Sequence, residues 1–128
     1  MYSYNSYHKI IAVAAIVIWA IIHFSGNNED QLYYSNGQIK RTGQIVNNLN
    51  TGKWIWYFSN GAKSIEGSFV EGKREGIWKR YDSLENIITE SYYENNKLEG
   101  KFTFYRPDGS IQEQYEYRSD TILKRLDK

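Results

Sequence analysis

The chain repeats itself every 24 residues. Gly52, Gly76 and Gly100 are spaced by that step, and so are Trp54, Trp78 and Phe102. Tyr33, Tyr57, Tyr81 and Tyr105 form a third column, and Ile45, Phe69, Tyr93 and Tyr117 a fourth. Turn-forming pairs keep the same phase: Asn36-Gly37, Asn60-Gly61, Leu84-Glu85 and Asp108-Gly109. The third copy is the most eroded, with Leu84-Glu85 in place of the turn pair and Ser91 where Gly43 and Gly67 stand. A period this short marks a repeat architecture, each unit being one supersecondary element stacked on its neighbours.

Each unit holds two β-forming runs separated by turn chemistry. Lys53 to Phe58 reads KWIWYF, Ser59-Asn60-Gly61-Ala62 follows, and Lys63 to Val70 makes the return strand. Asn-Gly between such runs is the strongest short-range hairpin signal. Glu71 to Gly76 is then expected to turn the chain into the next unit. Aromatics make up 16% of the chain, with ten glycines and a single proline, which favours β-structure over helix or disorder. About eight strands are expected between Gln31 and Arg118, and Thr121 to Leu126 makes a ninth. With Asn60-Gly61 at the tip, Trp54 faces Gly67 and Trp56 faces Ile65. Trp54, Trp56, Phe58, Ile65, Gly67 and Phe69 then share one face, because side chains alternate along a strand. Ile55, Tyr57, Ser64, Glu66 and Ser68 take the other, with Tyr57, Tyr81 and Tyr105 as a ladder. The same arithmetic sets Trp78 against Ser91 and Phe102 against Tyr115. An indole opposite a strand glycine covers backbone that glycine leaves bare.

Gly67, Phe69, Gly72-Lys73, Gly76, Trp78 and Tyr81 closely resemble the MORN repeat in its bacterial variant form, over about Tyr33 to Tyr117. The resemblance implies an all-β fold: one elongated antiparallel sheet of consecutive hairpins, about four units across residues 32–128, without a closed core. Bacterial proteins of this type are often classed as antitoxin components of toxin–antitoxin modules. The resemblance therefore implies a non-enzymatic protein that binds and masks a partner protein, a toxin in that setting. The departure from the pattern is a hydrophobic N-terminal segment, which an antitoxin acting on a cytoplasmic toxin does not need.

That segment, Ile10 to Phe24, has fourteen apolar residues of fifteen, with His23 the exception. As a helix it rises about 22 Å at ~1.5 Å per residue, short against a hydrocarbon core of ~30 Å. The leading expectation is an uncleaved transmembrane signal-anchor over residues 10–25, with Tyr2, Tyr4 and Tyr7 at the headgroups. A cleaved signal peptide, leaving a secreted or periplasmic domain, and a buried core helix are the alternatives. Cleavage after Ser25 or Gly26 sets His23 or Phe24 at the −3 position, where a small residue is wanted. Lys9 before the segment and Glu29 and Asp30 after it place residues 1–9 in the cytoplasm and the repeat domain outside. Residues 26–31 read as a linker.

Chemistry-bearing residues are scarce. The chain has no cysteine, and both histidines, His8 and His23, precede the repeats. Disulfides, thiol nucleophiles and the usual transition-metal ligands are absent from the repeat domain, and no cofactor or metal is expected. Glu66, Glu90 and Glu113 are the acid–base candidates, but a flat sheet supplies no cleft for paired carboxylates. Sixteen basic residues balance fifteen acidic ones, so no nucleic-acid partner is expected. The expected binding site is the aromatic stripe of Trp54, Trp56, Phe58, Trp78, Phe102 and Phe104, with Arg80 in the Trp56 column as a stacking cation. Two readings of the stripe stand side by side: an exposed partner site, or the repeat's own minimal core. A membrane-anchored structural or envelope-associated scaffold is the rival function.

Overall fold

The computed structural model describes residues 32–126, so residues 1–9, 10–25 and 26–31, with the expected anchor and linker, lie outside the described residues. Eight strands follow in order: β1 (Arg41–Val46), β2 (Leu49–Tyr57), β3 (Lys63–Val70), β4 (Lys73–Tyr81), β5 (Ile87–Glu94), β6 (Lys97–Tyr105), β7 (Ile111–Arg118) and β8 (Thr121–Arg125). Each pairs antiparallel with the next, in a single open sheet whose strand order is the sequence order. The closing strand expected over Thr121 to Leu126 forms as Thr121–Arg125. The first expected hairpin shrinks to one bridge, Tyr33 to Ile39, which leaves eight strands where nine were expected.

Two kinds of turn alternate, and they exchange the places the sequence suggests. At Asn60-Gly61 the Phe58 amide donates to the Ala62 carbonyl at 2.8 Å, and the Gly61 amide donates to the Phe58 carbonyl at 2.9 Å. Gly61 alone has a positive φ, 85°. The turn is therefore a three-residue loop with a left-handed third residue, not a two-residue tip. Tyr34–Gln38, Asp82–Asn86 and Arg106–Ser110 repeat it. The two-residue tips lie at the opposite end of the strands, at Asn47-Asn48, Glu71-Gly72, Asn95-Asn96 and Ser119-Asp120. Both residues of each pair have positive φ, the signature of a type I′ hairpin. Lys73 to Gly76, expected as turn, belongs to β4.

The eroded third turn holds by substitution. Asn36, Asn60 and Asp108 accept from the amide two residues on through their side-chain oxygens. Leu84 has no such oxygen. Asp82 Oδ1 takes over and accepts from both the Leu84 and Asn86 amides, each at 2.9 Å. Asn36 and Asn60 also donate across to the next turn, to the Ser59 and Ser83 carbonyls.

Within the strands, Gly52, Gly76 and Gly100 adopt φ of 67°, 75° and 68°. Each coincides with a break in register: Thr42–Gln44 against Thr51–Ile55, Glu66–Ser68 against Glu75–Lys79, and Ser91–Tyr93 against Leu98–Phe102. These are bulges that only a left-handed residue accommodates without strain, which accounts for the glycine column.

Candidate partner-binding face

The registers expected for the ring columns hold: Trp54 pairs with Gly67, Trp56 with Ile65, Trp78 with Ser91 and Phe102 with Tyr115. One face of the sheet therefore collects the rings, in two groups. In the first, Trp56 lies 5.7 Å from Trp54, 6.3 Å from Phe69 and 5.8 Å from Trp78, centroid to centroid. Phe69 meets Trp78 edge to face at 5.0 Å, and Trp78 meets Tyr93 at 6.0 Å. In the second, Phe102 lies 4.9 Å from Phe104 and 6.0 Å from Tyr117, and Phe104 lies 6.4 Å from Tyr115. Most of these contacts are edge-to-face or tilted, the geometry favoured by the ring quadrupoles.

The two expected roles of the stripe divide between residues. Trp54 is 4% exposed and is the one buried hydrophobic side chain among the described residues. Trp56, Trp78, Phe69, Phe102 and Phe104 are half-buried. Among the described residues the single-layer sheet has no second layer to close over them, so their outer parts are left uncovered. Trp54 is thus core, and the other rings combine core packing with an open surface. Phe58 does not join: it lies at the base of the loop before Ser59, outside the strands, and makes no ring contact among the described residues.

The indoles cover glycine, but not the glycine they pair with. A β-carbon on Gly67 would fall 2.2 Å from Trp78 Cδ2, and one on Gly43 would fall 2.1 Å from Trp54 Cδ2. Each indole folds over the strand on the bulged side instead of its hairpin partner. The cost is that the indole N–H groups of Trp54 and Trp78 are buried without an acceptor, about 1–3 kcal/mol each.

Arg80 shares the face and is exposed, but it stacks on none of the rings. The stacked cations are Arg74, 4.0 Å above Tyr93 and anchored through Nε to Asn96 Oδ1 at 2.7 Å, and Arg125, 5.8 Å from the Tyr115 centroid. The sequence reading of the site left out Arg74, Phe69, Tyr93, Tyr115 and Tyr117. The column Ile45, Phe69, Tyr93, Tyr117 was the signal for three of these, since it lies on the same face.

The opposite face carries ion-paired charges alongside the exposed apolar side chains Val70, Ile77, Ile88 and Tyr92. Glu66 accepts from the Tyr81 hydroxyl and pairs with Lys53 at 3.3 Å and Lys63 at 3.5 Å. The Tyr81 bond, with the lysines behind it, holds the Glu66 carboxyl below the usual carboxylate range. Burial, reinforced by Glu66, pushes the Tyr81 hydroxyl up. Lys79 pairs with Glu90 at 3.6 Å and Lys124 with Glu116 at 3.1 Å. On the ring face, Glu113 pairs with Arg125 at 3.7 Å and accepts from the Tyr115 hydroxyl. The three carboxylates weighed as acid–base candidates are thus all engaged in ion pairs. Among the described residues no cluster of His, Cys, Asp and Glu could hold a metal ion.

The family model described as the MORN repeat variant matches residues 74–95 and 98–119. The two matches, 22 residues each, fall on β4 to β5 and β6 to β7, most of one 24-residue unit apiece. MORN repeats are commonly modules that bind proteins or membranes, and the repeat is not a catalytic one. No curated protein matches the chain.

Proposed function

We propose that this chain is a non-enzymatic binding module that masks a partner protein with the aromatic face of its sheet, in the manner of an antitoxin or immunity protein. The half-buried rings Trp56, Trp78, Phe102 and Phe104, with Arg80 among them, carry the proposal. A row of rings that a one-layer sheet leaves partly uncovered is a surface awaiting a second layer, and Trp, Tyr and Arg dominate binding hot spots. The resemblance to bacterial MORN-variant proteins supplies the antitoxin setting. The apolar run Ile10 to Phe24 supports a location at the membrane, with residues 10–25 as a single-pass anchor and the repeat domain on the extracytoplasmic side.

The test is co-expression of the full chain with the product of the neighbouring reading frame. The wild-type chain is expected to bind that product and relieve its toxicity. The double variant Trp56→Ala, Phe104→Ala is expected to bind at least tenfold more weakly while keeping its β-sheet circular dichroism. A folded double variant with unimpaired capture rules this face out. The same apolar run favours a second reading, a membrane-anchored envelope scaffold. Co-sedimentation with cell-wall glycan, without capture of any neighbouring product, would favour that scaffold.

A further inference from the structure

The near-neutral total charge hides a segregation between the two faces. Register places Arg41, Arg74, Arg80 and Arg125 on the ring face, with Glu113 as its one strand carboxylate. The opposite face carries lysine and glutamate, paired as Lys53–Glu66, Lys79–Glu90 and Lys124–Glu116. Arg74 is spent on Asn96 and Tyr93, and Arg125 on Glu113. Arg41 and Arg80 are exposed, and their side chains make no ion pair or hydrogen bond among the described residues.

These two arginines lie in one row across the sheet: Arg41 pairs with Trp56, Trp56 with Ile65, and Ile65 with Arg80. Three strand steps of ~4.8 Å separate the ends, about 14 Å. An extended chain advances ~3.3 Å per residue and shows every second side chain to the same side. Four residues of extended chain span about 13 Å. A recess of about 450 Å3 lined by Leu32, Ile39, Arg41, Gly43, Ile45 and Trp54 adjoins the Arg41 end.

We infer that this row docks an extended acidic segment of a partner protein with the pattern acid–any–apolar–any–acid. Its carboxylates meet the Arg41 and Arg80 guanidinium groups, and its central side chain lies on Trp56 and Ile65. An apolar residue beyond the second carboxylate enters the recess. Guanidinium and carboxylate match as two-pronged partners. A second copy of this chain is a poor occupant, because it would bring its own arginines against these. A polyanion such as RNA meets carboxylates at both rims, Asp82, Glu85 and Asp108 at one end of the strands and Glu71, Glu94 and Asp120 at the other. The inference rests on the aromatic face being the docking face, and gives that face its partner's chemistry.

The test uses the full chain in zwitterionic micelles, labelled with 5-fluorotryptophan and followed by fluorine NMR. The probe is the blocked peptide Gly-Glu-Ser-Leu-Ser-Glu-Gly. Saturable binding that moves the Trp56 resonance, weakens with salt and falls at least tenfold in both Arg41→Gln and Arg80→Gln supports the inference. The lysine analogue Gly-Lys-Ser-Leu-Ser-Lys-Gly is expected not to bind. Equal binding of the two peptides, no binding of the acidic one, or indifference to both arginine variants overturns it. In those cases the masking function still stands if Trp56→Ala weakens capture of the neighbouring gene product. Tighter binding of oligouridylate or phosphatidylglycerol vesicles through the same arginines also overturns it, in favour of a phosphate ligand.

Discussion

Trp78 lies across Gly67, with three atoms of its indole where any β-carbon would have to stand. Trp54 stands in the same relation to Gly43. The bulges at Gly76 and Gly52 create this relation. They set one residue of the odd strand against an arc of the even strand, and the ring folds over the gap.

Substituting Gly67→Ala is therefore expected to destabilise the sheet although alanine suits a strand better than glycine. The new methyl group cannot share space with a rigid indole, and overpacking of this kind costs about 1–3 kcal/mol. Urea unfolding followed by near-ultraviolet circular dichroism checks it, and Gly43→Ala should behave alike. No loss of stability would mean that the indole does not rest there.

Trp54 and Trp56 are adjacent in contact but differ in exposure, so their truncations should separate folding from binding. Trp54→Ala removes the buried ring and is expected to cost about 3–5 kcal/mol of stability. Trp56→Ala removes a half-open ring from the middle of the proposed docking face. Its larger effect should be on partner affinity, about 2 kcal/mol or more. Unfolding and titration calorimetry on the same two variants measure both quantities.

The Glu66–Tyr81 pair gives the stability two pH-dependent arms. The carboxyl titrates below its ordinary value near 4.5 in the folded chain, so its contribution is full above about pH 4.5 and is lost as acid takes the pH down through the folded value. The phenol titrates above its ordinary value of 10.0, so its contribution is full below about pH 10 and is lost as alkali takes the pH up through the folded value. Tyr81→Phe is expected to flatten both arms in a plot of unfolding midpoint against pH. Glu66→Gln should flatten the acid arm too.

Leu84 is 80% exposed at the third loop and stands where Asn36 and Asn60 reach to the next turn. Leu84→Asn should extend that ladder by one bond, to the Pro107 carbonyl. Asp82 already holds the Leu84 and Asn86 amides, so the new bond is the whole gain, about 1 kcal/mol. A rise in melting temperature checks it.

The repeat step made most of the fold legible. Phase placed the columns, and a tip at Asn60-Gly61 with strand alternation set the faces and the pairings Trp54–Gly67, Trp56–Ile65 and Trp78–Ser91. The turn at Asn60-Gly61 was located but its type was not, because the pair has the composition of a two-residue tip, while the Asn60 side chain accepts the Ala62 amide and only Gly61 is left-handed. The extra residue is absorbed by a bulge between Trp56 and Tyr57, which is why the pairings below it survived. Which glycine each indole covers was not legible, because a ring leans toward one neighbouring strand and the pairing order does not say which. Arg80 was placed on its face correctly. That Arg74 stacks instead depends on Asn96, 22 residues away and outside every column.

Because every strand takes its partners from the strands next to it in sequence, the assembly has no intrinsic length. Each duplicated unit would widen the ribbon by two strands, about 10 Å, and leave the remaining contacts untouched. Deleting one unit should yield a narrower ribbon that still folds. If the ring face docks as proposed, copy number would act as a ruler, setting how far the row of half-buried rings extends and so how large a target it would cover.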